Sequence, residues 1–167
     1  MEALSNLYLE RSENELNLAD IIMKISSDKT LQLEKFDITK EDTYFSAVIS
    51  HAYYSIFYCA KAYLLLKGIK TRPPSEHKKA YDCFKILVLK GIVDKELIEI
   101  YEDVMDKASA LLGIFKKEKR KRGEFTYQKL PQANIEPARK SLENAKKFFK
   151  HLYNLCSNLK DIPKEGH

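Results

Sequence analysis

Little in this chain would break a helix: it has five glycines and five prolines in 167 residues. Long stretches free of both favour continuous helix over strands and turns. Its three cysteines, Cys59, Cys83 and Cys156, stand alone in helical patterns, with no CxxC pair and no Cys/His ligand spacing. That excludes a structural zinc site, and the odd count in apolar settings reads as buried free thiols of a reducing cytosol. No GxGxxG, Walker loop, HExxH, nucleophile elbow or ordered Ser/His/Asp set is present, so ordinary dehydrogenase and hydrolase readings have no support. No metal or cofactor is called for. A clean run of about twenty apolar residues is also missing, which argues against a membrane span. The N-terminal stretch MEALSNLYLERSENEL is acidic and amphipathic, without the apolar core of a signal peptide. The expected location is the cytoplasm.

What the chain does have is one unbroken apolar segment, Tyr44 to Lys67, YFSAVISHAYYSIFYCAKAYLLLK. As a helix it spans about 35 Å, the height of a small domain. A helix apolar on nearly every side is stable only when surrounded by other helices or by lipid. The interruptions Ser46, Ser50, His51, Ser55 and Lys61 remove the lipid option. The segment is therefore predicted to be the central helix of an all-α, antiparallel bundle of about five helices. Residues 1–160 form one domain in this reading, and 161–167 a frayed tail.

The remaining helices follow from periodicity. Residues 3–26 read as the first, with Leu4, Leu7, Leu18, Ile21, Ile22 and Ile25 as its apolar stripe. Residues 31–41 fit a short helix or an ordered loop equally well. Asp42 or Thr43 is the expected cap of the central helix, and Gly68 its stop. The prolines of KTRPPSEH, 70–77, force a turn, and Ser75 is the expected cap of a helix over about 76–90. Asp94 caps the next, from Lys95 to about Lys119, whose stripe includes Leu97, Tyr101, Val104 and Ala108. The last runs over about 134–159 and carries Ala138, Leu142, Ala145, Phe148 and Leu152.

Charge is distributed unevenly. Residues 1–60 hold 5 Lys/Arg against 10 Asp/Glu, and residues 61–167 hold the other 24 against 14. A basic C-terminal two-thirds suits a polyanionic partner. Its densest part is KKEKRKRGEF, 116–125, where six of the seven residues from Lys116 to Arg122 are basic. In one reading this run is a solvated helix end complementing the helix dipole. In the other, Lys119, Arg120, Lys121 and Arg122 neutralise phosphates while Phe125 and Tyr127 offer ring faces to bases. His51, among the aromatics of the central helix, is read as a packed, hydrogen-bonded histidine; a catalytic role would need a partner. The tyrosines around it read as core or interface residues.

The segment SAVISHAYYSIFYCAKAYLLLKGIKT resembles the second helix of HEPN domains, in which a run like S-R-A-Y-Y-A-M-F-H-A-A-K-A-L-L precedes a short turn. RGEFTY at 122–127, followed by an I-x-x-A-x-x-x-L-x-x-A-K-x-F helix at 135–148, is similar to the close of that domain. Together the resemblance covers about residues 42 to 156. It implies a small helical bundle that forms homodimers and binds nucleotide or RNA. It also implies a minimal nucleotidyltransferase partner, in a toxin–antitoxin arrangement. RNase members of the family carry an Arg followed, after four to six residues, by a His at the dimer interface. Here the position after Arg122 and four residues is Tyr127, and no His follows until His151. That matches the subfamily with Arg, four residues and Tyr, although Thr126 stands where an acidic residue is common. A phenol with a pKa of about 10 is a far poorer proton shuttle at neutral pH than an imidazole near 6.5. The resemblance therefore implies a binding module lacking the usual catalytic His. The alternatives are a toxin endoribonuclease using Arg122, Tyr127 and His51, and a structural helical adaptor.

Overall fold

In a computed structural model, which describes residues 2–38, 43–112 and 135–160, six helices follow one another. They are α1 (Glu2–Ser27), α2 (Lys29–Phe36), α3 (Phe45–Leu66), α4 (Glu76–Leu89), α5 (Lys95–Leu112) and α6 (Ile135–Lys160). The ambiguous stretch after α1 is thus a short helix. Asp28 starts it, its carboxylate accepting from the Leu31 N–H at 2.9 Å.

The central helix α3 touches α1, α4, α5 and α6, which accounts for its apolar surface all round. Val48, Ala52, Tyr53, Ile56, Cys59 and Ala60 are fully enclosed. Gly68 ends α3 as predicted, with a φ of 78° that a side chain would resist. The Ile69 N–H donates to the Leu64 carbonyl and the Gly68 N–H to that of Leu65, closing the last turn in a Schellman motif. At the other end the cap position falls on Tyr44, one residue past the expected Thr43, and the Tyr44 side chain makes no capping bond; Asp42, the other expected cap, lies outside the described residues. Instead the Tyr44 N–H donates to the Ser26 hydroxyl at 2.9 Å, so α1 supplies the polar partner.

Where the structure departs most from the predicted pattern is α1. Leu4, Leu7, Leu18 and Ile21, read above as the buried stripe, are exposed. The buried face is Ser5, Leu9, Ser12, Leu16, Ala19 and Ser26. Small residues at 5, 12, 19 and 26 recur every seventh position and let the two backbones close up. The Ser5 hydroxyl donates to the Ala62 carbonyl at 3.0 Å, and that of Ser12 to the Ser55 carbonyl at 2.7 Å. Rising numbers on α1 meet falling numbers on α3, so the pair is antiparallel.

The other helices complete the core much as their periodicity predicts. Ala80, Phe84 and Leu87 of α4 are buried, as are Leu97, Tyr101, Val104 and Ala108 of α5 and Ala138, Leu142, Ala145, Phe148 and Leu152 of α6. Asp94 caps α5 through its carboxylate, which accepts from the Glu96 N–H at 3.0 Å. Ser75 does precede α4, but not as a side-chain cap: its backbone is left-handed, with φ 61°, and its hydroxyl makes no capping bond. Cys59 and Cys156 are buried free thiols and Cys83 is half-buried. Burial pushes the Cys59 thiol well up and that of Cys156 to about 11, so both stay protonated and unreactive at neutral pH. Among the described residues no helix is long and apolar enough to cross a membrane.

Candidate functional site

The seam between α1 and α3 carries a row of polar and aromatic side chains along one edge. His51 of α3 holds the Glu15 carboxylate at 2.6 Å through Nδ1, so the histidine singled out in the sequence is anchored to the first helix. One step along, the Arg11 guanidinium lies 4.7 Å from the centre of the Tyr58 ring, and Tyr58 stacks with Tyr8 at 6.0 Å. At the far end stands Lys61. Its ammonium donates to the Tyr8 hydroxyl at 2.8 Å and to the Glu76 carboxylate at 2.6 Å, and lies 4.1 Å from the Tyr8 ring centre. Lys61 is only 6% exposed, which for a lysine demands such partners. Burial works against its charge, but the bonds to Glu76 and Tyr8 outweigh that and raise its pKa above the ordinary lysine value.

Beside Lys61, at the start of α4, the His77 ring lies 4.0 Å from that of Phe57 and nearly parallel to it, with Tyr53 and Tyr54 also against it. Burial drives the Tyr53 phenol far above its usual range, so its hydroxyl keeps its proton, and it shares a hydrogen bond with His77 Nδ1 at 2.9 Å. Burial also lowers the His77 pKa, with Glu76 pulling it back up and Lys61 pushing it further down. Tyr53 and Tyr63 are core residues of the bundle, while Tyr54 and Tyr58 are half-buried.

The row opens into a cleft of about 360 Å³ between the start of α1, the end of α3 and the 69–76 turn. Lys61, Lys70, Arg72 and Glu76 supply its charge. Another depression, about 390 Å³, lies along α6 against Lys147, Lys150 and His151; among the described residues α6 alone lines it. Among the described residues no three His, Cys, Asp or Glu side chains gather as a metal-ligand set.

Of the sequence-derived candidates only His51 lies within the described residues. Lys119, Arg120, Lys121, Arg122 and Tyr127 fall between α5 and α6, outside them. Sequence reasoning passed over Lys61, which appeared only as an interruption of an apolar run, and placed His77 merely at a helix start. The available signal was a lone cation enclosed by apolar residues, followed fifteen positions later by a carboxylate just past a proline turn.

The family model for the HEPN domain matches residues 30–155. The chain belongs to the HEPN domain family. The match takes in α2 to α5 and most of α6, a wider span than the resemblance noted above, and brackets the basic run. As a HEPN domain the chain has the helical bundle that its sequence implied. No curated protein and no solved structure matches it.

Proposed function

We propose that this chain is a nucleotide- or RNA-binding HEPN module that acts as a homodimer with a minimal nucleotidyltransferase partner, in a toxin–antitoxin-like system. The observation that carries the reading is the family match, which spans the cationic run of Lys119, Arg120, Lys121 and Arg122 and the Arg122–Tyr127 spacing. Each cation that meets a phosphate releases condensed counterions, so binding should weaken steeply as salt rises. With Tyr127 where RNase members have His, Arg122 grips phosphate without a neutral-pH proton shuttle beside it. Binding without cleavage follows.

The test uses the whole chain. Its binding to a transfer RNA is followed in rising salt, beside a variant with Lys119, Arg120, Lys121 and Arg122 changed to Glu. The reading expects salt-dependent binding that the charge reversal abolishes, intact RNA throughout, and a dimer by light scattering. Cleavage abolished by Arg122→Ala would establish the endoribonuclease instead. Equal binding by the reversed variant would leave the run as helix-end solvation and favour the adaptor.

A further inference from the structure

Helix α1 carries two stripes. One is the small-residue face that packs on α3. The other looks away from the bundle: Leu4, Leu7, Arg11, Asn14, Leu18 and Ile21 recur at alternating steps of three and four. That is the seven-residue repeat by which one helix lies along another. All six residues are exposed, and the four apolar ones keep between 40% and 55% of their surface in water. Exposed leucines scattered singly need no explanation, but these form one row about 26 Å long on a helix whose core contact is already made on its other face.

The row reads apolar, polar, apolar, and it is symmetric about the point between residues 12 and 13. A second α1 laid antiparallel along the first sets Leu4 on Ile21, Leu7 on Leu18 and Arg11 on Asn14, so like polarity meets like throughout. Such self-complementarity is what a two-fold interface requires. Charge selects the same direction. Glu10 and Glu15 flank the polar centre of the row, so the antiparallel pair brings each Arg11 to the acidic middle turn of its partner, whereas a parallel pair would set Arg11 against Arg11. Polar residues within such a stripe fix register at some cost in affinity. We propose that two copies of this chain pair through α1, antiparallel and in this register. The pairing rests on the homodimer of the proposed function and names its surface. That surface precedes residue 30, where the family match begins, and shares no residue with the 119–127 run.

The experiment is sedimentation equilibrium of the full chain from about 1 to 200 µM. One pair of helices buries less than the about 800 Å² per partner of a standard interface, so a micromolar dissociation constant is expected. Leu7→Lys with Leu18→Lys changes exposed side chains only, and an unchanged melting temperature at high dilution certifies the fold. Its dissociation constant should rise about tenfold or more. Register is read by cross-linking in a Cys83→Ser background, which keeps only the buried thiols Cys59 and Cys156. Mixed Leu4→Cys and Ile21→Cys chains should be joined by a short bismaleimide. Leu4→Cys chains alone, with their thiols about 25 Å apart, should not. A double-lysine variant that dimerises like the parent overturns the proposal and leaves the homodimer reading standing. Joining of Leu4→Cys chains to one another overturns the antiparallel register. A parent that stays monomeric at about 200 µM overturns the pairing and the homodimer together, while RNA binding is still read separately.

Discussion

The Lys61 ammonium and the Glu76 carboxylate meet at 2.6 Å, the lysine 6% and the glutamate 23% exposed. This pair ties the end of α3 to the first residue of α4 across the proline turn. Removing one partner of such a pair leaves the other charge poorly solvated. Lys61→Met is expected to cost about 2–4 kcal/mol in urea unfolding, less than a fully buried pair because Glu76 keeps some water. Glu76→Gln should recover part of that loss in the double variant, a coupling of about 1–2 kcal/mol. Strictly additive effects would show that the pair is ornamental.

Ser12 is fully buried in the α1–α3 seam, its hydroxyl bonded to the Ser55 carbonyl and 3.1 Å from the Ser55 hydroxyl. Ser12→Ala removes the bond but keeps the volume, for a loss of about 1 kcal/mol. Ser12→Leu must push the helices apart and should cost about 3 kcal/mol or more, although leucine is the better helix former. A leucine variant as stable as the alanine one would refute the close seam.

Tyr101 is fully enclosed among Tyr53, Tyr81, Phe84 and Phe148, and its hydroxyl has no hydrogen-bond partner among the described residues. Leaving a buried hydroxyl unpaired carries a desolvation penalty. Tyr101→Phe keeps the ring and deletes the penalty, so the thermal midpoint should rise, by the equivalent of about 1 kcal/mol. A fall in the midpoint would mean that this oxygen is bonded.

His77 gives the bundle a pH dependence of definite sign. Its pKa in the folded protein lies below the ordinary histidine value because of burial, with Glu76 opposing and Lys61 reinforcing. The unfolded chain therefore binds the proton more readily, and stability rises with pH through the window between the folded value and about 6.5. The urea midpoint should drop between about pH 7 and pH 5.5, and His77→Gln should flatten that drop. The facing groups are the Tyr53 hydroxyl, Lys61 and Glu76; the carboxylates held low by lysines, Asp20 among them, lose stability only at more acidic pH. An unaltered slope in the glutamine variant would remove His77 as the cause.

The sequence told most where one physical signal dominated. An apolar surface all round could only mean an enclosed helix, and α3 is one. Gly68 after a long apolar run marked its end, and the left-handed backbone there agrees. Failure came on α1, because counting apolar residues favours leucines, whereas the bundle uses serine and alanine at seven-residue spacing to bring two backbones together. Neither local propensity nor the α1 pattern signals that choice without the partner helix. Lys61 was illegible for a related reason: its meaning depends on Glu76, which reaches it only once the turn has folded back. His51 was read as a hydrogen-bonded histidine, and Glu15 is its partner.

Helix α1 precedes residue 30, where the family match begins, yet its serines reach into the backbone of α3 and its Tyr8 walls the cleft. A fragment trimmed to the matched span would bare the flank of the central helix that now accepts those serines. It would also strip Lys61 of one of its two hydrogen-bond acceptors. The recognisable sequence and the unit that must fold together differ by one helix, and any expression strategy for this protein has to follow the second.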